Sequence, residues 1–312
     1  MSKYCFAADI GGTTVKLGLF TPDGEIVNKW EIPTRKEDNG GHILPDIADS
    51  VKAEMSSRGI SRDDVLGIGV GAPGPVDKNG VIHKAVNLGW GELNIKDELE
   101  KLTDMPVMAG NDANVAALGE MWKGGGEGFT DLVVVTLGTG IGGGIIIDGR
   151  IVTGSNGAGG EIGHIHLEDD EEVSCGCGNK GCFEQYASAT GVVTLATRKL
   201  ASSDEDSVLR TEKVSCRTIF DAIKSGDRLA MEVGEQFGEY LGKGLACIAA
   251  VTNPQVFVIG GGVSNAGTII FDLARKYYDK YAFHASLDVE FRLAKLGNDA
   301  GIYGAAKLIL GN

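Results

Sequence analysis

Short apolar runs separated by glycine-rich turns dominate the chain, and two stretches follow the same plan. Residues 7–27 read as an apolar run, Gly11-Gly12-Thr13-Thr14, a second apolar run, and Asp23-Gly24 before Glu25-Ile26-Val27. Residues 132–152 repeat it: Leu132 to Leu137 leads into Gly138-Thr139-Gly140, then Ile145-Ile146-Ile147, and Asp148-Gly149 precedes Arg150-Ile151-Val152. Asp-Gly between apolar runs signals a hairpin. Two such hairpins, each opening one half of the chain, predict a duplicated α/β domain. A further buried strand is predicted at Val256 to Ile259, ending on Gly260-Gly261-Gly262. Apolar spacing at three and four residues predicts helices over 113–122, 187–200, 228–251, 268–281 and 302–310.

Glycine accounts for 48 of the 312 residues, about double the usual share of roughly 7%, and it sits in turns rather than linkers. Gly138-x-Gly140-x-x-Gly143 has the spacing of a dinucleotide fingerprint, but that fingerprint needs a helix after the glycines and a β-branched run follows instead. The Rossmann reading therefore fails. A Gly/Thr turn between strands is either a tight hairpin or a phosphate cradle, in which converging backbone N–H groups and hydroxyls meet the anion; two copies favour the cradle. Gly260-Gly261-Gly262, after a buried strand, is a third place where a ligand such as a flat adenosine can approach backbone. Asn111-Asp112 opens the helix over 113–122. Both residue types are preferred N-caps, and one helix needs only one of them. The second is left for other work, and a carboxylate at a strand-to-helix corner is well placed to meet a substrate hydroxyl.

A net charge of −14, a pI near 4.8 and the lack of a long Lys/Arg run exclude nucleic acid as a partner. The apolar runs are too short to span a membrane and no signal peptide is read at Met1, so a soluble, cytoplasmic protein of two domains is expected. Of six cysteines, Cys5, Cys216 and Cys247 are expected to be ordinary buried thiols. Cys175, Cys177 and Cys182 cluster within eight residues, close in sequence to His164. Three thiolates and one imidazole complete a tetrahedron with no open position, the composition of a structural zinc site. The alternative is three buried thiols and a surface histidine. In a closed site the flanking Glu161 and Glu184 are held in fixed geometry, as carboxylates gripping a polyhydroxylated ligand need to be.

These residues together resemble the ROK family of sugar kinases and sugar-responsive repressors, and within it the glucokinase branch, over nearly the whole chain. Asp9-Ile10-Gly11-Gly12-Thr13-Thr14 is similar to the family's first phosphate motif and Leu137 to Gly144 to its second. Glu161-x-x-His164 and Cys175-x-Cys177-Gly178-x-x-Gly181-Cys182-x-Glu184 are similar to its two signatures. The resemblance implies an α/β fold of the actin-like, hexokinase-type ATPase architecture, with two RNase H-like domains flanking a cleft. Residues 1–118 plus 298–312 are expected to form a small N-terminal domain with the first phosphate hairpin, and 119–297 a large C-terminal domain with the second hairpin and the zinc loop.

The same resemblance implies ATP-dependent phosphorylation of glucose to glucose 6-phosphate, with Asp112 as general base and Asn87, Asn111, Asp112, Glu161, His164 and Glu184 around the sugar. His164, Cys175, Cys177 and Cys182 would ligate structural Zn2+. Gly11, Gly12, Thr13, Thr14, Gly138, Thr139 and Gly140 would hold the ATP phosphates, Gly260, Gly261 and Gly262 the adenosine, and Asp9 would orient a hydrated Mg2+. Lys16 is a lesser helper, and His166 rivals His164 by proximity alone. A homodimer or larger homo-oligomer is implied. Repressors of the family carry an N-terminal helix-turn-helix, which this chain is expected to lack because it opens on the first strand. The alternatives are a kinase for N-acetylglucosamine, N-acetylmannosamine, mannose or fructose, differing only in pocket shape, and a non-catalytic sugar sensor, which would lack Asp112 or the phosphate glycines. A zinc hydrolase is disfavoured by the filled coordination shell.

Overall fold

The structure, a computed structural model, describes residues 3–311. Met1, Ser2 and Asn312, which the expected N-terminal domain includes at its ends, lie outside the described residues. The strands are β1 (Tyr4–Ile10), β2 (Thr14–Phe20), β3 (Ile26–Pro33), β4 (Val65–Ala72), β5 (Val81–Ile82), β6 (Leu93–Asn94), β7 (Val107–Asn111), β8 (Leu132–Leu137), β9 (Ile141–Ile147), β10 (Arg150–Ile151), β11 (Val256–Gly260) and β12 (Glu290–Leu293). The helices are α1 (Glu37–Gly40), α2 (Ile43–Arg58), α3 (Ile95–Thr103), α4 (Asp112–Lys123), α5 (Glu184–Ala187), α6 (Ala189–Ser202), α7 (Cys216–Ser225), α8 (Arg228–Thr252), α9 (Ile269–Tyr281) and α10 (Ala300–Leu310).

Two five-stranded sheets have the orders β3-β2-β1-β4-β7 and β10-β9-β8-β11-β12. These are the same order counted from each sheet's first strand, which is how the sequence repeat is expressed in three dimensions. In the first sheet β1 pairs antiparallel with β2 and parallel with β4; in the second, β11 runs parallel to both β8 and β12. The chain divides into two units. One gathers the residues up to Thr130, Gly144–Gly160 and those from Leu296 onward; the other comprises Asp131–Gly143 and Glu161–Lys295.

In the first unit β4 reads Val-Leu-Gly-Ile-Gly-Val-Gly-Ala and is buried at every position except Leu66. Such a run suits a central parallel strand covered on both faces. Its glycines admit α10 so closely that a Cβ at Gly69 would fall 1.7 Å from the carbonyl oxygen of Ala305. β3 alternates half-buried and exposed positions, as an edge strand does. Phe6, Leu17, Leu19, Ile47, Ile68 and Leu99 are fully buried in this unit's core, each stabilising it by about 1.5–3 kcal/mol relative to exposure. In the second unit the long α8 starts where the Asp227 side chain accepts the Ala230 N–H and ends at Asn253 in the left-handed region. Phe257, Tyr278 and Phe291 meet edge to face, with ring centroids 5.4 to 6.1 Å apart.

The two hairpins differ in their closing turns. Asp148 and Gly149 have φ of 51° and 72°, the pair of positive values that a two-residue type I′ turn demands. At Asp23-Gly24 only the glycine is positive, and the Thr21 N–H closes a wider loop onto the Glu25 oxygen at 3.0 Å. The helix predicted over 187–200 is two helices, because Ser188 takes an extended conformation and its hydroxyl caps α6 by accepting the Gly191 N–H. Cys247 is exposed rather than buried: on α8 it falls between buried Ala246 and Ile248, one residue step away from the stripe that meets the core. Cys216 is only partly buried. Among the described residues no helix is long and apolar enough to cross a membrane.

Candidate active site

Each unit carries part of the predicted set. In the first, the chain turns from β1 into β2 through Gly11, Gly12 and Thr13. The Gly11 N–H donates to the Thr14 oxygen at 3.0 Å, and Thr34 fastens the turn with its hydroxyl on the Gly11 oxygen at 2.7 Å and its N–H on the Thr13 oxygen at 2.9 Å. Gly12 and Thr13 remain exposed. Asp9 lies opposite Lys16 across the strand pair. A Cβ at Gly301, in the first turn of α10, would fall 2.4 Å from the Asp9 carboxylate, so a glycine there lets α10 close over it. The Lys16 ammonium donates to the Asn298 carbonyl at 2.8 Å.

At the corner between β7 and α4 the structure divides the work of two adjacent residues. Asn111 is the cap, its Oδ1 accepting the Asn114 N–H at 3.1 Å. Its Nδ2 donates to the Gly74 oxygen and to Asp112 Oδ1, each at 3.1 Å, which uses both amide hydrogens. Asp112, relieved of capping, is the first helical residue; its Oδ1 also accepts the Ala113 N–H at 2.8 Å. Asn87 sits exposed on the short turn Val86–Leu88 of the same unit.

In the second unit Gly138-Thr139-Gly140 joins β8 to β9. The Gly138 N–H donates to the Gly140 oxygen at 3.0 Å, and the Gly138 oxygen accepts the Ala189 N–H at 2.8 Å. The Gly260–Gly262 segment adjoins this turn, with Gly261 packed on the backbone of Leu137. A cavity of about 390 Å3 opens beside the turn, its lining including Thr139, Gly140, Cys175, Glu184, Ser188 and Arg198.

The ligand atoms of His164, Cys175, Cys177 and Cys182 all lie within 4.8 Å of one another. Cys177 Sγ is 3.7 Å from Cys182 Sγ, and Cys175 Sγ is 3.7 Å from His164 Nδ1. A tetrahedron with metal–sulfur bonds of about 2.3 Å has edges of about 3.8 Å, whereas a disulfide would bring two sulfurs to about 2 Å. The four groups therefore fit a zinc ion. Burial pushes the Cys175 thiol up to about 12, while the Asn179 backbone N–H holds Cys177 below its usual range; a divalent cation displaces such thiol protons on binding. Around the cluster, Glu184 Oε1 accepts from Cys175 Sγ at 2.9 Å and Glu184 Oε2 accepts the Ile141 N–H at 3.2 Å. His164 turns Nδ1 toward the thiols and Nε2 toward Glu161, 3.9 Å away. His166 stands apart, with Nδ1 2.9 Å from the Lys180 oxygen and Nε2 2.8 Å from Asp169.

Sequence reasoning passed over three polar anchors of this region. Asn114, 2% exposed, donates to the Gly159 oxygen at 3.2 Å and so ties α4 to the segment that leads into Glu161. Glu120, equally buried, accepts N–H bonds from Gly125 at 2.7 Å and Leu296 at 2.9 Å. Glu171 receives both Arg198 guanidinium nitrogens at 2.9 Å and the Tyr186 hydroxyl at 2.7 Å. The Arg198 hydrogen bonds hold its carboxyl down to about 2, against the cost of burial. The available signal was a polar residue inside an apolar stretch for Asn114 and Glu120. None existed for Glu171, which lies in an acidic run.

Residues 5–312 match the ROK family, and the chain belongs to it. It is similar to the glucokinase of Halalkalibacterium halodurans, with 43% identity over 98% of this chain and 95% of that protein. Among solved structures it is similar to a ROK family glucokinase from Streptomyces griseus in complex with glucose and AMPPNP, at 33% identity and a TM-score of 0.72 over 97% of this chain and 98% of that one. It is also similar to the ROK hexokinase from Thermus thermophilus, at 31% identity and a TM-score of 0.79 over 97% and 96% of the two chains. The fold is the α/β actin-like ATPase fold of the ROK sugar kinases, as the sequence predicts.

Asp9 supplies a pH-dependent test of the first unit. Burial pushes its carboxyl from 3.8 up to about 6, with Lys16 opposing the shift and Asp112 adding to it. A raised value means the folded chain holds the proton more tightly. That stabilisation is complete below the unfolded value and lost as pH rises through about 6. At about pH 7.5 the loss is on the order of 2–3 kcal/mol. Asp9→Asn is therefore expected to melt a few degrees above the parent at about pH 7.5 without ligands, the gap closing toward about pH 4. Melting curves across that range check this, and a gap that does not grow with pH contradicts it.

Proposed function

We propose that the chain is an ATP-dependent glucokinase that transfers the γ-phosphoryl group of ATP to the 6-hydroxyl of glucose. The similarity to glucokinases over nearly the whole chain supports the reading. The structural observation that carries it is the division of labour at residues 111 and 112, where Asn111 is the N-cap and the Asp112 carboxylate, at the first helical position, is oriented through Oδ1 by the Asn111 amide and the Ala113 N–H. Asp112 takes the hydroxyl proton as the sugar oxygen bonds to the γ-phosphorus, and the bond from that phosphorus to the bridging oxygen breaks to release ADP. Asn111, with both amide hydrogens committed, orients Asp112 and can meet the sugar only through Oδ1. Glu161 and Glu184 accept hydrogen bonds from sugar hydroxyls, His164 meets the sugar through Nε2, and Asn87 adds a contact.

The turns at Gly11 to Thr14 and Gly138 to Gly140 hold the phosphates with backbone N–H groups, and Gly260 to Gly262 line the adenosine. Mg2+ near Asp9 would neutralise phosphate charge, and the mutual repulsion of Asp9 and Asp112 favours a cation there. Zn2+ on His164, Cys175, Cys177 and Cys182 would cross-link the loop that bears Glu184. A cytoplasmic location goes with this reading, because a three-thiolate zinc site needs its cysteines kept reduced. Assembly as a homodimer or larger oligomer completes the reading.

Asp112→Asn is expected to bind glucose as the parent does, because the amide still hydrogen-bonds the hydroxyl, and to lose about 10²- to 10⁴-fold in turnover. Calorimetry with steady-state rates tests this: intact binding with turnover reduced less than about tenfold rejects Asp112 as the base.

The purified protein is also expected to hold about one zinc per chain, and Cys177→Ala to lose the metal and sugar affinity together. Elemental analysis that finds active protein without zinc would falsify the four-ligand site.

A further inference from the structure

The Glu184 carboxylate touches two parts of the second unit that the proposed function treats separately. Oε1 accepts from Cys175 Sγ at 2.9 Å and lies 3.8 Å from His164 Nδ1, against the cluster whose His164 also belongs to the hydroxyl-binding set. Oε2 accepts the backbone N–H of Ile141 at 3.2 Å, the residue that follows the Gly138-Thr139-Gly140 turn. The approach is close: a Cβ at Gly140 would lie 2.3 Å from Oε2. Five residues on, the Ala189 N–H donates to the Gly138 oxygen at 2.8 Å. Residues 184–189 thus grip the turn at both ends, by the N–H that follows it and by its first carbonyl.

The grip is firmly mounted. Phe183 is fully buried, and its ring is so near α8 that a Cβ at Gly244 would lie 2.5 Å from it. Its N–H donates to the Ile165 oxygen at 2.8 Å. The backbone of Glu184 is therefore fixed between a helix and the strand-like segment after His164, and a change at its carboxylate is passed to whatever the two oxygens hold.

We propose that Glu184 is a positioning residue for the Gly138–Gly140 turn as well as a sugar contact, so that one carboxylate couples the sugar site to the phosphate-binding turn. The inference rests on the kinase reading. A sugar hydroxyl bonded to the Glu184 carboxylate fixes its plane and thereby the Ile141 N–H held by Oε2; conversely, a nucleotide that orders the turn presents that carboxylate correctly to the sugar. Such coupling is reciprocal in binding free energy.

Three variants test it by calorimetry, with Mg·AMPPNP titrated without sugar and glucose titrated without nucleotide. Glu184→Ala loses the acceptor for the Ile141 N–H, and its AMPPNP affinity without sugar is expected to fall about tenfold or more. Glu184→Gln keeps an oxygen for that N–H, so its AMPPNP affinity is expected to stay within about threefold of the parent while glucose binding weakens. In Gly140→Ala the new methyl meets only the tip of a flexible side chain, so the fold survives. Its displaced carboxylate is expected to weaken glucose binding about tenfold, although residue 140 belongs to the phosphate turn. Gly140→Ala carries the test if Glu184→Ala loses its metal or its fold. A residue that served the sugar alone would leave AMPPNP binding unchanged in Glu184→Ala and glucose binding unchanged in Gly140→Ala. Either result overturns the coupling while the kinase reading stands, whereas a parent protein that binds neither ligand overturns both.

Discussion

The 21-residue loop from His164 to Glu184 has almost no regular secondary structure, yet it draws four candidate ligand atoms to within 4.8 Å of one another. Loops of this composition cannot bury enough apolar surface to fix themselves. The spacing of the thiols and imidazole matches a metal tetrahedron, and metal binding in such a loop is folding free energy. A second anchor stands four residues before Cys175, where Glu171 binds Arg198 and Tyr186 and ties the loop to α5 and α6. Glu184 at the end of the loop contacts the cluster directly through Oε1, and Glu161 stands three residues before its start.

The first unit solves a different problem, that of holding acidic groups inside a packed α/β layer. Small residues on β4 and α10 bring the helix down onto the sheet, and Gly301 leaves room for the Asp9 carboxylate. Asp112 adds a second negative charge that pushes Asp9 up further. A pair of carboxylates arranged this way is costly without a cation, and the cost is the kind of local strain that a functional site retains. The cap at Asn111 keeps the arrangement stable at the backbone level: its Oδ1 takes the Asn114 N–H, and Asp112 Oδ1 takes only the Ala113 N–H beside it.

Much of this was legible in the chain. The repeated strand–turn–strand plan foretold a duplicated α/β domain, because apolar runs joined by a Gly/Thr turn and closed by Asp-Gly read as a hairpin in each half. The cysteine spacing foretold the cluster, since few other functions place three thiols in eight residues. Other elements were hidden. α2 buries Ile43, Leu44, Ile47, Ala48 and Val51, a helical stripe present in the sequence but masked by Pro45 in its first turn. β4 reads as glycine alternating with branched residues, a pattern whose strand character depends on α10 packing against it. The break at Ser188 turned on one hydroxyl choosing to cap rather than continue a helix. Contacts such as the one from Glu184 to Ile141 join residues 43 positions apart, and no local pattern encodes them.

The most direct test of the whole account is ADP release from Mg·ATP by the purified chain, measured against glucose, mannose, fructose, N-acetylglucosamine and N-acetylmannosamine. A site whose carboxylates pair with each hydroxyl once the sugar covers them discriminates against analogues that leave those groups unpaired, by up to roughly 10⁴-fold. Glucose should therefore give the highest kcat/KM, with glucose 6-phosphate as the product. A higher kcat/KM for an acetamido sugar or fructose would contradict the glucokinase reading, and no sugar-dependent ADP release at all would contradict the account as a whole.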